Sequence, residues 1–471
     1  MQYNHAVDRL TIRPLLCCAL LLTVTVVTYA GVVHGDFQFD DSSTILENPH
    51  LDRWSTFIGH LDHMVRPVLY ATFLVDRSLY GNSAAGYHLL NLLLHLGTGL
   101  LVYRILALAV TEETRHVPFW TALLFLIHPI QTETVTYISG RASGLMAFFY
   151  LLALFLSIKR IEYEDDRRVS RWYLFGAVTA FLLSLASKET AITFPLVLLL
   201  WDLLIRRLRG ASLRAAIRSH HLPFWLILLV VGLAVWRHPR YTALAQFSVG
   251  IRPLWDNVLS QLNAATYAVL LFFCPWKQSF DHDLPVLHSL FQWLLPELLF
   301  CGLIIAALVT ARRLPLLTFG VAWFFVQLLP TSLIPRIDLL SERNLYLASI
   351  GLLLVVVMIG SRVTQWLATV LRKPRIAQMT GSLALVVVMG LCLFTYQRNV
   401  LYRDGVLLWS DAVEKSPHKA RPHNNLGYAY TLRGDWDRAI EEFRIAARLN
   451  PDYALAQQNL RDAYLHRVGR Q

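Results

Sequence analysis

Long apolar segments recur along the whole chain and strongly restrict the folds open to it. A transmembrane helix needs about 20 apolar residues, and somewhat fewer where flanking side chains reach the interface. About twelve segments meet this condition: 14–33, 87–108, 117–129, 140–158, 172–186, 191–205, 222–236, 255–274, 290–311, 315–333, 345–360 and 379–396. Because 55% of the 471 residues are hydrophobic and only 16% are charged, the sequence predicts an all-α, polytopic membrane helical bundle and excludes an ordinary soluble globular protein.

Basic side chains indicate how these segments are oriented. The net charge is +11, but Lys and Arg cluster between the apolar segments, which favours membrane topology over nucleic-acid binding. Cytoplasmic loops carry an excess of Lys and Arg, so four clusters are predicted to be cytoplasmic: 159–171, 206–218, 312–313 and 362–375. No nucleic-acid partner is expected.

The segment 255–274 interrupts the alternation of sides. If it crossed the membrane, the basic pair Arg312-Arg313 would lie outside. It also carries polar side chains such as Asp256 and Gln261, so we interpret it as a re-entrant or interfacial helix on the outer side. About eleven crossings remain, with the N-terminus in the cytoplasm and the C-terminus outside.

Polar segments then emerge together on the outer face. They are the loop around Asp40 and Asp41, followed by 128–141, 187–189, 237–252, 277–288 and 335–343. Charged groups at the ends of several spans on one face are what an active site at a membrane interface needs. The sequence therefore predicts a functional site on this face.

The adjacent carboxylates Asp40 and Asp41 are the first candidates in that site. A carboxylate can accept the proton of a hydroxyl nucleophile, and a second polar group can hold a phosphate or a cation. The simpler alternative is that the pair caps the next helix or lies in water.

A polar stripe lies on the second apolar segment. His88, Asn91 and His95 have helical i, i+3 and i+7 spacing, which puts them on one face. Polar groups are costly in lipid, so the stripe should face the protein interior. It serves either the site or helix packing through hydrogen bonds.

Charged pairs in the short outer loops are the next candidates. Lys188 and Glu189 lie between two spans, and Glu342 and Arg343 precede another. Lys188 and Arg343 could hold phosphate oxygens, whereas the alternative is an interfacial ion pair of little energetic consequence.

His128 and Glu133 lie on either side of a proline-containing turn. Their spacing is too loose to define a metal site, and a cap with a turn is the simpler explanation.

The polar C-terminal part predicts a separate helical domain. A pattern of 34 residues fits 420–453, with Leu426, Gly427 and Tyr430 on a first helix and Phe443 on a second. This is the pattern of a tetratricopeptide repeat (TPR), and half-repeats flank it. We place the membrane domain at 1–396 and the TPR domain at 397–471. So short an array should pack against the membrane domain or a partner.

Several short motifs in this order resemble the transmembrane-and-TPR O-mannosyltransferases of the GT-C superfamily. They are Phe39-Asp40-Asp41, Asn48-Pro49, Arg66-Pro67, Tyr87-His88-Leu89-Leu90-Asn91 with His95, His128-Pro129 with Glu133, Gly140-Arg141, Ser187-Lys188-Glu189 and Glu342-Arg343-Asn344. The resemblance implies a GT-C-like fold, a polyprenyl-phosphate sugar as donor and inversion at the anomeric carbon.

The resemblance also implies roles for individual residues. Asp40 and Asp41 match the acidic pair, of which one is expected to be the base, and Lys188 and Arg343 match basic positions that could hold the donor phosphate. Supporting positions are Arg66, His88, Asn91, His95, His128, Glu133, Arg141, Glu189 and Glu342. The short TPR array implies a bacterial member in an inner membrane.

The function expected from this resemblance is transfer of a hexose, mannose in the family, to a Ser or Thr hydroxyl of a protein outside the cytoplasm. The TPR domain would hold the acceptor or a partner, and the spans would contact membrane lipid. Transfer to a lipid or a polysaccharide, and a non-catalytic membrane-anchored TPR scaffold, are the alternatives. No cofactor is required by the sequence, and dependence on a divalent cation is left open.

Overall fold

The structure is a computed structural model that describes residues 12–237, 239–289, 294–371 and 375–468. Every regular element in these ranges is helical, which confirms the predicted all-α fold. The first seventeen helices form the membrane domain: α1 Ile12–Tyr29, α2 Trp54–Ile58, α3 Pro67–Tyr80, α4 Ala84–Ala107, α5 Val117–Ile127, α6 Thr132–Val135, α7 Arg141–Glu162, α8 Arg167–Ser187, α9 Phe194–Leu200, α10 Gly210–Ala216, α11 Leu222–Arg237, α12 Pro239–Ile251, α13 Leu254–Phe273, α14 Leu294–Thr310, α15 Pro315–Leu333, α16 Leu345–Val370 and α17 Arg375–Leu401. The N-terminal tail predicted to be cytoplasmic, before Ile12, lies outside the described residues, as does the start of the predicted span 290–311.

Eight segments in the described residues are long and apolar enough to cross a membrane, so the chain is a multi-pass membrane protein. They are Pro14–His34, Ala84–Ala107, Ile138–Glu162, Arg167–Ser187, Gly210–Arg237, Pro315–Leu333, Glu342–Val370 and Met379–Leu401. The other three of the eleven predicted crossings correspond to the shorter helices α5, α9 and α14. The predicted number therefore includes three segments whose helices, within the described residues, are too short to qualify on length alone.

Helix α13 lies across one end of the bundle. Near its start, Asn257 donates a hydrogen bond to the carbonyl of Ser332 (2.7 Å), and near its end the carbonyl of Phe272 bonds His128 (3.0 Å). Ser332 is in the last turn of α15 and His128 directly follows α5, and both lie at the predicted outer end. Contacts at both ends of α13 with the same end of the bundle fit the interpretation of an interfacial helix.

Small residues allow two central helices to approach closely. Gly320 on α15 and Gly351 on α16 face each other, and a Cβ atom at either position would collide with the backbone of the other. Membrane helices pack through such small residues because lipid supplies no hydrophobic drive for their association. This contact fixes the position of α16, which begins directly after the loop of Arg343.

Four helices form the C-terminal domain: α18 Gly405–Lys415, α19 Ala420–Leu432, α20 Trp436–Leu449 and α21 Ala454–Val468. Helices α19 and α20 are the predicted repeat, and Gly427 makes room for the ring of Phe443. Helix α17 continues to Leu401, so the predicted boundary at 396/397 falls inside its last turns.

The C-terminal domain packs on the membrane domain, as its short array led us to expect. Lys419 bonds Asp281 (2.5 Å) and Asp338 (3.2 Å), and Arg421 bonds the same two carboxylates (2.6 and 2.8 Å). Both acidic residues belong to loops of the predicted outer face. The TPR domain therefore sits at the end of the bundle where the candidate site residues were predicted.

Candidate active site at the outer end of the bundle

Asp40 and Asp41 are neighbours in sequence but have different environments. Asp41 is fully buried. Its carboxylate accepts hydrogen bonds from the backbone N–H groups of Gln38 (2.9 Å) and Ser139 (2.8 Å) and from the Ser139 hydroxyl (2.5 Å). Burial raises the pKa of Asp41 to about 7, and these hydrogen bonds oppose the rise. Asp41 thus ties the loop after α1 to the start of α7.

Asp40 is only partly buried and is held through its backbone. Its N–H donates a hydrogen bond to the hydroxyl of Tyr137 (3.2 Å). The ring of Tyr137 also lies 5.8 Å from the guanidinium carbon of Arg343. Tyr137 therefore places a carboxylate and a guanidinium beside each other, although they are about three hundred positions apart in the chain.

Glu133 orients Arg343 from the other side. Its carboxylate accepts hydrogen bonds from the Ser341 hydroxyl (2.8 Å) and the Arg343 N–H (2.9 Å), and lies 3.5 Å from Arg343 Nε. Burial raises the pKa of Glu133. We call Asp40, Glu133, Tyr137, Ser341 and Arg343 the Arg343 cluster.

Lys188 reaches the same loop. Its Nζ donates to the Ser143 hydroxyl (2.8 Å) and to Asn344 Oδ1 (2.8 Å), next to Arg343 in the chain. Burial, and then the positive charges of Arg336 and Arg66, hold the pKa of Lys188 well below its usual range. An anion bound here would favour the charged form of Lys188.

Glu189 gathers two further arginines. Arg66 bonds both of its carboxylate oxygens (3.0 and 3.1 Å), and Arg336 bonds one of them (2.9 Å). Burial alone would raise the pKa of Glu189, but Arg66 and Arg336 lower it to about 2. The site therefore holds more basic groups than Glu189 can neutralise.

An open cleft adjoins these basic groups. Its volume is about 250 Å³, a little below the usual range of small-ligand sites. One wall is polar and includes Arg336, Arg343 and Asn344, and the other includes Phe247 and Ile251 of α12. A cleft with a basic wall and an apolar wall suits a ligand that joins an anionic group to a hydrocarbon chain.

The predicted polar stripe lies behind the site and not in it. His88, Asn91 and His95 are buried, which confirms that they face the protein interior. Asn91 donates to the carbonyls of Val135 and Tyr137 (both 3.3 Å). The stripe thus supports the turn that carries Tyr137.

The ring nitrogens of His95 also have internal partners. One contacts the Tyr346 hydroxyl (2.8 Å) and the other the Leu126 carbonyl (3.0 Å). Each partner belongs to a different helix, so His95 contributes to the helix-packing seam that was the alternative for this stripe.

Arg141 is also enclosed. It bonds Asp76 (2.5 Å), Asn91 Oδ1 (2.6 Å), the Tyr87 carbonyl (2.8 Å) and the Thr72 hydroxyl (3.2 Å). We call these five residues the Arg141 cluster. Its guanidinium has no exposed surface, so Arg141 supports the fold beneath the site.

His128 and Glu342 hold loops together. His128 Nδ1 accepts from the Ile130 N–H (3.1 Å), while its ring stacks on Phe272. This is the cap and turn that the alternative predicted. Glu342 is fully buried and accepts from the Ser279 N–H (2.8 Å) and His282 (3.0 Å). Neither residue reaches the cleft.

The described residues contain no group of three or more His, Cys, Asp or Glu side chains that could hold a metal ion. The Asp41 side chain is buried in the protein, whereas that of Asp40 is partly exposed, so the two carboxylates do not form a joint site. The basic side chains around the cleft are suited to binding an anion.

Comparison with known proteins identifies what the chain is related to. It is 28% identical to human protein O-mannosyl-transferase TMTC4 over 93% of its length, and 25% identical to protein O-mannosyl-transferase F38B6.6 of Caenorhabditis elegans over 92%. The chain is similar to these protein O-mannosyl-transferases over most of its length. Human protein O-mannosyl-transferase TMTC1 is 26% identical over 95% of the chain.

The chain is shorter than these O-mannosyltransferase relatives. It spans 63% of the worm protein, 67% of human TMTC4 and 57% of human TMTC1, which is about two thirds of their length or less. No family model matches the chain, and no solved structure matches it significantly.

Three site residues were not identified from the sequence. Tyr137, Ser139 and Arg336 lie in loops that the sequence placed on the outer face, but a lone Tyr, Ser or Arg in a loop has no distinctive spacing. The signal available was their position in the polar segments 128–141 and 335–343. Only the fold shows that these segments meet.

Proposed function

We propose that the chain transfers mannose from a polyprenyl-phosphate donor to a Ser or Thr hydroxyl of a protein. Two things support this. Its relatives along most of its length are named protein O-mannosyl-transferases. The observation that carries the proposal is the placement of the partly exposed Asp40 and Arg343 on either side of Tyr137, beside a cleft with one basic and one apolar wall.

The acceptor hydroxyl loses its proton to Asp40 in this proposal. Its oxygen attacks the anomeric carbon from the face opposite the phosphate, and the bond from that carbon to the phosphate oxygen breaks. The polyprenyl phosphate leaves with the electron pair, so the sugar configuration is inverted. Asp41 is fully buried, which favours Asp40 as the general base.

The donor phosphate is held by basic side chains. Arg343 has a fork of N–H donors suited to phosphate oxygens, and an anion near Lys188 would favour the charged form of its amine. Arg336 lines the same cleft, although the sequence did not suggest it. Such preorganised positive groups stabilise the charge that develops on the leaving phosphate. The polyprenyl chain would follow the apolar wall formed by Phe247 and Ile251.

The site would lie on the non-cytoplasmic side of a bacterial inner membrane, with the N-terminus in the cytoplasm. Two of the basic clusters support this orientation, because they meet at the end of the bundle away from the site. There, Arg160 in the last turn of α7 bonds the carbonyl of Ser219, which follows α10 (2.9 Å). The TPR domain, packed at the opposite end, would hold the protein acceptor or a partner.

The test is transfer by purified protein in vesicles that contain radiolabelled polyprenyl-phosphate mannose and a Ser/Thr-containing protein. We expect label on the protein, alkali-releasable and dependent on Asp40. Label found in lipid or in polysaccharide would instead identify those acceptors. No consumption of donor would favour the non-catalytic scaffold. The same reaction with a polyprenyl-phosphate glucose tests the sugar, and added EDTA tests dependence on a divalent cation.

A further inference from the structure

Five aromatic rings connect the TPR domain to the loop of Asp40. We call Phe39, Tyr137, Phe280, Tyr402 and Trp409 the aromatic bridge. Trp409 is on α18, and its ring lies 5.3 Å from Phe39 and 5.2 Å from Phe280 in edge-on contacts. Phe280 in turn lies 5.2 Å from Tyr137. The aromatic bridge therefore includes Phe39, which precedes Asp40, and Tyr137, whose hydroxyl accepts a hydrogen bond from the Asp40 backbone N–H.

The backbone of Phe39 needs external support. Its φ is +48°, a left-handed conformation that is unfavourable for a residue with a large side chain. Such a conformation persists only where surrounding contacts determine it. Phe39 contacts Phe280 (6.0 Å) as well as Trp409. The left-handed turn at Phe39 sets the direction in which the next residue, Asp40, leaves the loop.

The same loop is tied to the TPR side at a second point. Gln38 donates from Nε2 to the carbonyl of Tyr402 (3.3 Å), in the connection between α17 and α18. Trp409 also lines a small cavity together with Phe39, Glu133 and Arg343. Helix α18, the first helix of the TPR domain, thus forms part of the wall around the proposed reaction centre.

We propose that Trp409 is a positioning residue, which keeps the left-handed turn at Phe39 in place and so aims the Asp40 carboxylate. This inference rests on the proposed function for its catalytic part. It makes α18 part of the reaction centre, in addition to any role of the repeat in holding an acceptor. Disturbing Trp409 should therefore impair transfer even to an acceptor too short to reach the repeat.

The first measurement is hydrogen exchange of the full-length protein in detergent, read on peptides that cover 37–46. Trp409→Leu keeps apolar volume in the α18 packing but removes the ring, and we expect faster exchange in this segment. Trp409→Phe keeps an aromatic edge and should exchange like the wild type. Phe443→Leu weakens the core of the repeat without touching Phe39, and should leave 37–46 unchanged.

The second measurement is transfer to a short Ser/Thr peptide and to a protein. We expect Trp409→Leu to lower kcat about 10- to 100-fold for both acceptors, because small misplacement of a reacting group has effects of this size. KM for the donor should stay within about twofold, and Trp409→Phe should restore most of kcat.

Two results would overturn the proposal. One is unchanged exchange of 37–46 in Trp409→Leu. The other is a loss of kcat in Phe443→Leu as large as in Trp409→Leu, which would make general stability of the repeat the cause. If the wild type transfers no sugar, the proposed function fails, whereas the exchange measurement still decides whether Trp409 holds the loop.

Discussion

The Arg141 cluster and the Arg343 cluster pair the same residue types at the same end of the bundle, with different outcomes. Arg141 has no exposed surface, and its partner carboxylate on Asp76 is 4% exposed. Arg343 is 33% exposed and lies 3.5 Å from Glu133. One guanidinium is enclosed by protein acceptors, and the other borders a cleft.

The difference shows what separates a supporting arginine from a binding arginine. Three protein groups accept hydrogen bonds from Arg141 and Asp76 forms an ion pair with it, so it has little capacity left for a ligand. Glu133 takes the backbone N–H of Arg343 and one side of its guanidinium, which orients the remaining donors without using them. Exposure and unused donors, and not residue type, distinguish the two clusters.

The largest expected effect is on the open cluster. Asp40→Asn should reduce transfer about 10²- to 10⁴-fold, the usual contribution of a general base, because an amide cannot take the hydroxyl proton. The melting temperature should change little, since Asp40 is partly exposed. The measurement is initial rate in reconstituted vesicles beside thermal unfolding. Asp36→Asn, an exposed acid of the same loop, is the matched control and should stay active.

If Asp40→Asn retained transfer, Asp40 would not be the general base, and the base would lie outside the Arg343 cluster. If Asp41→Asn then lost activity without loss of stability, the buried acid would have to be the base instead.

The second effect is on the enclosed cluster and concerns stability. Asp76→Asn leaves Arg141 buried without its countercharge, and breaking such a pair typically costs about 3 to 5 kcal/mol. We expect poor yield and a lower melting temperature in detergent. Asp52→Asn is the control, since its ion pair with Arg77 is exposed and exposed pairs contribute about 0 to 1 kcal/mol. A stable but inactive Asp76→Asn protein would place the Arg141 cluster in the chemistry and erase the contrast.

The sequence could predict which segments lie at this end of the bundle, because apolar length and basic loops determine crossings and sides. It placed His88, Asn91 and His95 on an inward face from their spacing alone. It could not separate Arg141 from Arg343, since both are single arginines near the ends of spans. Their difference depends on Asp76 and Glu133, which only the packing brings to them.

The acidic pair illustrates the same limit at closer range. Nothing in the sequence distinguishes Asp40 from Asp41, because both are flanked by polar and aromatic residues. The left-handed turn at Phe39 and the hydrogen bonds from Ser139 turn one carboxylate inward and leave the other partly exposed. Helical periodicity gives no information on such a turn.

A smaller effect tests the unused donors of Arg343. Arg343→Lys keeps the positive charge but loses the planar fork, so we expect KM for the donor to rise about tenfold. Arg343→Gln should have a larger effect, and kcat should fall with it. The measurement is donor saturation at fixed acceptor. Arg362→Gln, an exposed position at the opposite end of the bundle, is the control. If neither Arg343 substitution changed the KM for the donor, Lys188 and Arg336 would be the remaining groups that bind the phosphate.

The smallest expected effect concerns the pH dependence of stability and tests the difference within the acidic pair. Burial raises the pKa of Asp41 to about 7, against hydrogen bonds that favour its charged form, whereas an Asp in an unfolded chain has a pKa of about 3.9. Between these values the native state keeps a proton that the unfolded chain has lost. The contribution of Asp41 to stability is therefore fully present below about pH 4 and is lost as pH rises to about 7.

Asp41→Asn lacks this titration. The melting temperature of the wild type relative to Asp41→Asn should therefore decrease by a few degrees between about pH 4 and pH 7, and should be flat above that range. Thermal unfolding in detergent at several pH values measures it, with Asp40→Asn as the parallel variant that retains the slope. A gap that widened as pH rose would mean that the Gln38 and Ser139 hydrogen bonds outweigh burial. Asp41 would then be ionised throughout, and the contrast between the two neighbouring acids would rest on exposure alone.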